Sequence, residues 1–187
     1  LQPEKRLLLH VCCAPDATVV VERMSAEYAL AVYFYDPNIH PESEYILRRD
    51  EMARLSERLG VPFYEGEYDV DRWLEVVRGL EQEPEGGARC AVCFRMRLER
   101  TARFAAEQGC PVFTTVLTVS PHKDADLINR LGQEAATAHG VEYLAGNFKK
   151  KDGFKRSLEL SREYGLYRQN YCGCTFSMRE GSVENQS

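Results

Sequence analysis

The chain is 187 residues long, which suits one domain with an ordinary core and argues against two full ones. Hydrophobic residues at 44% beside 28% charged residues exclude a disordered chain. A net charge of −5 excludes a polyanion binder that works by bulk charge, but leaves room for a local basic face.

Leu1 to Arg6 run into Leu7-Leu8-Leu9 without a signal-length apolar region, and no apolar run approaches the roughly 20 residues of a bilayer span. The expectation is a cytoplasmic protein with no membrane partner. Residues 6–12 read as the first strand, 16–24 as a helix and 29–35 as the second strand. Pro41, followed by two near-adjacent glutamates, opens a helix over 41–59, where acids meet the positive end of the dipole. A short third strand covers 61–64, and a helix covers 69–80. The loop 81–88, with Pro84, Gly86 and Gly87, is long enough to act as a mobile lid.

The helix over 90–108 carries one apolar stripe of Phe94, Leu98, Ala102 and Ala105, with Arg95, Arg97, Arg100 and Arg103 mostly facing away. Residues 111–117 and 141–144 supply the fourth and fifth strands, and 123–139 the helix between them. Gly60 and Gly140 each end a helix ahead of a strand. The fold class is therefore α/β: a single doubly wound domain over 1–187, with a mainly parallel five-stranded sheet and a cysteine-bearing C-terminal segment. The core is expected over about 6–180, with a frayed tail at 181–187.

Seven cysteines are the unusual feature, and an odd count without a secretory signal argues against a disulfide framework. Six fall into three clusters: Cys12-Cys13, Cys90-x-x-Cys93 and Cys172-Gly173-Cys174. Ligands of an open α/β sheet bind outside the carboxyl ends of its strands. Cys12-Cys13, Asp36 to His40, Ser120-Pro121-His122 and Asn147-Phe148-Lys149 all follow strands, so all are expected at that edge. Cys110 enters the fourth strand from the other edge and reads as a buried apolar thiol.

Cys90 and Cys93 at a helix start point the same way, and the helix terminus favours their thiolates. Four thiols at one edge leave zinc, an iron–sulfur cluster or a metal-free dithiol as readings. Adjacent cysteines at a strand end are expected to diverge, which suits a cluster better than a single ion. Asp16 reads as an N-cap acid, an oxygen ligand beside the metal, or both. Cys172 and Cys174 form either a reducible disulfide or a pair of thiolates on one metal. Lys149, Lys150, Lys151, Lys155 and Arg156 form a basic run suited to phosphates, and residues 167–171 are aromatic and polar, suited to bases. His10 reads as a satisfied core histidine, His122 as an acid or substrate contact, and His40 and His139 as structural or surface groups.

Leu8-Leu9-His10-Val11-Cys12-Cys13-Ala14-Pro15-Asp16 resembles the opening motif of the QueH-type epoxyqueuosine reductases. Tyr33-Phe34-Tyr35-Asp36-Pro37-Asn38-Ile39-His40-Pro41 and Arg89-Cys90-x-x-Cys93-Phe94-Arg95-x-Arg97-Leu98 are similar to that family's second-strand and central motifs. Phe148-Lys149-Lys150-Lys151-Asp152-Gly153 and Tyr167-Arg168-Gln169-x-Tyr171-Cys172-Gly173-Cys174 complete the resemblance, which spans about residues 7–178. Phe94, where tyrosine is common, and Asp36, where asparagine is common, depart from the pattern without touching a proposed ligand.

The resemblance implies a PP-loop or HUP-like fold and reduction of the epoxide of epoxyqueuosine at the wobble position of a tRNA anticodon. It implies a 4Fe–4S cluster on Cys12, Cys13, Cys90 and Cys93, with Asp16 at or beside the metal. Cys172 and Cys174, with Asp16, are the implied catalytic groups, as a redox pair or as ligands of a second, mononuclear iron. One of the first four thiols could equally serve that iron, with Asp16 replacing it on the cluster. Arg168, Tyr171, His122 and the basic run would meet tRNA. An external electron donor is implied, and no cobalamin. PP-loop enzymes carry glycines where Cys12-Cys13-Ala14-Pro15-Asp16-Ala17 stands here, so no ATP is expected. The rival readings are a sulfur-transfer enzyme on the same fold and a zinc-stabilised RNA-binding module. The sequence carries no sign of an oligomeric state.

Overall fold

The computed structural model describes residues 4–178, so the expectation for the tail at 181–187 lies outside the described residues. Five strands are present: β1 (Arg6–Val11), β2 (Ala29–Phe34), β3 (Phe63–Glu65), β4 (Val112–Thr115) and β5 (Glu142–Tyr143). They form one sheet in the order β3-β2-β1-β4-β5, with every pairing parallel. The helices are α1 (Ala14–Met24), α2 (Glu42–Leu59), α3 (Val70–Val76), α4 (Ala88–Glu107), α5 (Ala125–His139) and α6 (Gly153–Tyr164).

β1 takes the centre because it has no face to offer water. Leu7, Leu8, Leu9 and Val11 have no exposed surface, as a parallel strand covered by helices on both sides requires. Leu8 pairs with Ala31 on one side and Phe113 on the other. The helices pack as two groups, α1 with α2 and α6, and α4 with α3 and α5. Gly60 and Gly140 end α2 and α5 as expected. No helix among the described residues is long and apolar enough to cross a membrane.

Several boundaries differ from expectation. The fourth strand stops at Thr115, whose side chain accepts a hydrogen bond from the Leu117 N–H at 3.1 Å and turns the chain into a 3-10 turn over Val116–Val119. α3 ends at Val76 instead of residue 80. α6 was not anticipated, and its first turn contains the end of the basic run. Its buried face includes Ser157 and Ser161, polar in sequence but satisfied by donating to the carbonyls of Phe154 at 2.7 Å and Ser157 at 2.5 Å.

The topology fixes where a site can form. The chain runs outward from β1 to β2 and β3, then returns to β4 on the other side of β1. The loops after β1 and β4 part in opposite directions there, which opens a crevice at the carboxyl ends.

Candidate functional site

That crevice holds a cavity of 200 Å³ whose walls include Cys12, Asp16, Lys123, Arg168, Tyr171 and Cys172. Beside it, a void of 20 Å³ is lined by Cys90, Lys123 and Cys172 among others. Cys172 and Lys123 therefore belong to both. Cys110 lies before β4 at the opposite edge, buried, with burial raising its thiol.

Cys12 follows the last residue of β1, and Cys13 is the extended N-cap residue of α1. Their thiols are in hydrogen-bond contact with each other. Adjacent thiols at this strand end were expected to diverge; here they lie near enough to interact. Asp16 is in the first turn of α1 and not its N-cap, and its carboxyl meets Cys13 at the cavity wall. Cys90 and Cys93 stand at the start of α4, where the Gly86 N–H donates to the Cys90 sulfur at 3.2 Å. All seven thiols are free.

The segment carrying Cys172 and Cys174 is clamped over the crevice by α2. Arg48 is buried and paired with Glu44 at 2.6 Å, and it donates to the Cys172 carbonyl at 3.0 Å and the Tyr171 carbonyl at 3.2 Å. The His40 N–H donates to the Gly173 carbonyl at 2.8 Å, and the Tyr171 hydroxyl donates to the His40 carbonyl. Gly173 has φ +114°, and a Cβ there would lie 2.9 Å from Ile39 Cγ1. The loop 81–88 is tied down, not loose: Arg89 donates to the carbonyls of Leu80, Glu81 and Glu83.

Cations dominate the electrostatics. Cys12 is held well below the ordinary thiol range by the hydrogen bond from Cys13, against the effect of burial and with help from Arg97, Lys123 and Arg48. Cys13, the donor, is raised. Burial pushes Asp16 up to about 6, helped by Cys12 and opposed by Lys123 and Arg168. Burial would lower the Lys123 ammonium, but Cys172, Cys12 and Asp16 around it raise it above its usual value. Burial pushes Cys93 up to about 12, with Arg97 opposing. Arg97 was expected to face away from the core; it is instead buried against Asp36, because its helix face turns toward the crevice. Asp36 therefore supports an arginine that adjoins Cys93 and Cys12. His10 is buried, with Nδ1 2.8 Å from Thr115 Oγ1 and Nε2 3.9 Å from Asp36.

The donor set fits a sulfur-bound metal group. Trp73 Nε1, Arg89 Nε and Arg97 Nε are buried N–H groups with no acceptor among the described residues. Trp73 and Arg97 adjoin Cys93, and Arg89 adjoins Cys174. Buried donors normally have partners, and an anionic, sulfur-rich group between these thiols would supply them. No three His, Cys, Asp or Glu side chains among the described residues are gathered tightly enough for one metal ion.

The residues expected to meet nucleic acid divide. Arg168 and Tyr171 line the cavity, with the Arg168 guanidinium 5.8 Å from the Phe154 ring, and His122 is exposed on the same wall. Lys150, Lys151 and Lys155 are exposed outside it. Arg156 is ion-paired to Glu22 at 2.7 Å and Glu159 at 3.2 Å, and the Lys149 ammonium donates to the Lys123 carbonyl at 2.7 Å. Sequence reasoning missed Lys123, Arg48 and Trp73. Lys123 follows Ser120-Pro121-His122 directly, a signal that was there to find, whereas Arg48 sits mid-helix with none.

The family profile described as "Epoxyqueuosine reductase QueH" matches residues 7–180. A protein of that name from Histophilus somni is 44% identical over 94% of this chain and 73% of its own length. One from Haemophilus influenzae is 42% identical over 95% and 73%, and one from Thermotoga maritima 38% over 93% and 91%. Among solved structures, the chain is similar to the U34-tRNA thiolase NcsA from Methanococcus maripaludis with its [4Fe-4S] cluster. That likeness has a TM-score of 0.58 at 12% identity, over 96% of this chain and 63% of that one, and shows a shared fold.

Proposed function

The chain belongs to the epoxyqueuosine reductase QueH family, and from that premise we propose that it removes the epoxide oxygen of epoxyqueuosine at the wobble position of a tRNA anticodon, giving queuosine and water. The observation that carries this reading is the meeting of one cysteine from each of three distant segments, Cys12, Cys90 and Cys172, around one polar crevice with the cations Lys123 and Arg168 on its wall. Cys12, Cys13, Cys90 and Cys93 would hold a 4Fe–4S cluster, with Asp16 at or beside it; soft thiolates in this number favour iron–sulfur chemistry. When bound, such a group supplies electrons singly and an electrophile for the oxygen.

The chain's own residues do the rest. Cys172 shares the cavity wall with Cys12 and the adjoining void with Cys90, and Cys174 lies near Cys93. The pair would serve either as a dithiol that gives up two electrons and two protons on closing to a disulfide, or as ligands of a second, mononuclear iron. Lys123 keeps a cation at the cavity wall, where it offsets negative charge developing on the departing oxygen. Arg168 and Tyr171 border the base, Tyr171 fixed by its bond to the His40 carbonyl. Lys150, Lys151 and Lys155 meet anticodon-stem phosphates. Pro15 and two thiols occupy the turn where a PP-loop would cradle phosphate, which speaks against a part for ATP. The electrons come from a separate donor, and the tRNA substrate sets the work in the cytoplasm.

Anaerobic purification with iron and sulfide analysis and an absorption spectrum is the first test. Iron with acid-labile sulfide, bleached by dithionite, is expected, followed by turnover of epoxyqueuosine-containing tRNA. A colourless protein holding zinc after anaerobic reconstitution would sink the redox reading.

A further inference from the structure

Trp73, the chain's one tryptophan, is fully buried in α3. It lies against the ring of His40, with centroids 5.3 Å apart, and of Phe176, 6.0 Å apart. Its Nε1–H has no hydrogen-bond partner among the described residues, although a buried indole N–H usually finds one. α3 packs on α4, and the Cys93 sulfur at the start of α4 lies beside the indole without meeting hydrogen-bond geometry. A neutral thiol accepts hydrogen bonds weakly, whereas a metal-bound thiolate accepts them well.

We propose that Trp73 is a positioning residue of the metal centre, donating its indole N–H to the Cys93 sulfur when that sulfur is a metal-bound thiolate. The inference rests on the reading of Cys93 as a ligand of an iron–sulfur centre, and adds a group that belongs to none of the cysteine motifs. Phe176 lies two residues beyond Cys174, so the same indole joins α3 to the segment bearing the third cysteine pair. A donor to a ligand sulfur stabilises the electron-rich reduced state more than the oxidised one. Hydrogen bonds of this kind raise the reduction potential of a centre.

Packing alone is the competing explanation, and Trp73→Phe separates the two because it keeps a ring and loses the N–H. The wild type and this variant are reconstituted anaerobically, analysed for iron and sulfide, and titrated potentiometrically by absorption and electron paramagnetic resonance. The variant is expected to carry the same iron with a midpoint shifted to more negative potential. Equal iron with an unchanged midpoint overturns the proposal. Where the variant loads poorly, the wild type still tests whether the indole lies at the centre, because its fluorescence at indole excitation comes from one tryptophan. Emission is expected to fall several-fold on loading and to return when the iron is chelated away; emission indifferent to loading overturns the proposal. A wild type that takes up neither iron nor sulfide overturns the reading of the centre beneath it, and metal analysis alone tells that failure from the others.

Discussion

Asp36 has no exposed surface and is bound to the buried guanidinium of Arg97. Burial pushes its carboxyl up to about 7, with Arg97 opposing, against about 3.9 for an unfolded aspartate. Between those values the folded state holds a proton that the unfolded state has lost. Stability from this group is therefore present below about pH 4 and is lost as pH rises through about 7. Asparagine keeps an oxygen for Arg97 and cannot titrate. Asp36→Asn should flatten the dependence in metal-free protein, gaining on wild type between pH 5.0 and 7.5 in urea unfolding; parallel curves would mean that the carboxyl is not held protonated. Gly173 poses a steric question instead. Its φ of +114° and the 2.9 Å approach of a Cβ to Ile39 Cγ1 strain any other residue by about 1–3 kcal/mol. Because that strain falls on the turn between Cys172 and Cys174, Gly173→Ala should slow single-turnover reduction about 10-fold and lower the melting midpoint by several degrees. Unchanged turnover would free the turn of a functional role.

At the scale of elements, α2 holds the C-terminal segment in place. Arg48→Met leaves the Glu44 carboxylate buried without its cation, at a cost of about 3–5 kcal/mol. It also frees the carbonyls of Tyr171 and Cys172. Adding Glu44→Leu should restore most of the stability, but the segment should stay exposed to protease in both variants. Cleavage no faster than in wild type, read by mass spectrometry, would show that Arg48 is not the clamp. The elements themselves were largely legible in the sequence. β1 and β2 announce themselves as apolar runs closed by turn residues, and the sheet edge that collects the cysteines follows from strand direction alone. α6 was not legible, because Ser157 and Ser161 bury polar groups that are satisfied inside their own helix. Arg97 and Arg48 were misjudged or missed for a different reason. The buried charge of Arg97 depends on Asp36, 61 residues away, and although Glu44 stands one turn before Arg48, the carbonyl that Arg48 clamps is 124 residues away, which no local period reveals.

At the scale of the molecule, an acidic chain must hold a polyanion with a small face. Of the basic run, Lys150, Lys151 and Lys155 are free to do so, whereas Arg156 is neutralised by Glu22 and Glu159, and Lys149 is bound to the Lys123 carbonyl. Removing two phosphate contacts should lower the slope of log affinity against log salt by about 1.4–1.8. Lys150→Glu with Lys151→Glu should therefore weaken tRNA binding with at least that change in slope, and leave iron content intact because neither side chain lines the crevice. Arg156→Ala should change affinity little, since the glutamate pair already cancels its charge. If iron fell in the lysine variant while tRNA affinity held, the lysines would belong to the metal centre's support, and the phosphates would have to be met by Arg168 and the cavity rim.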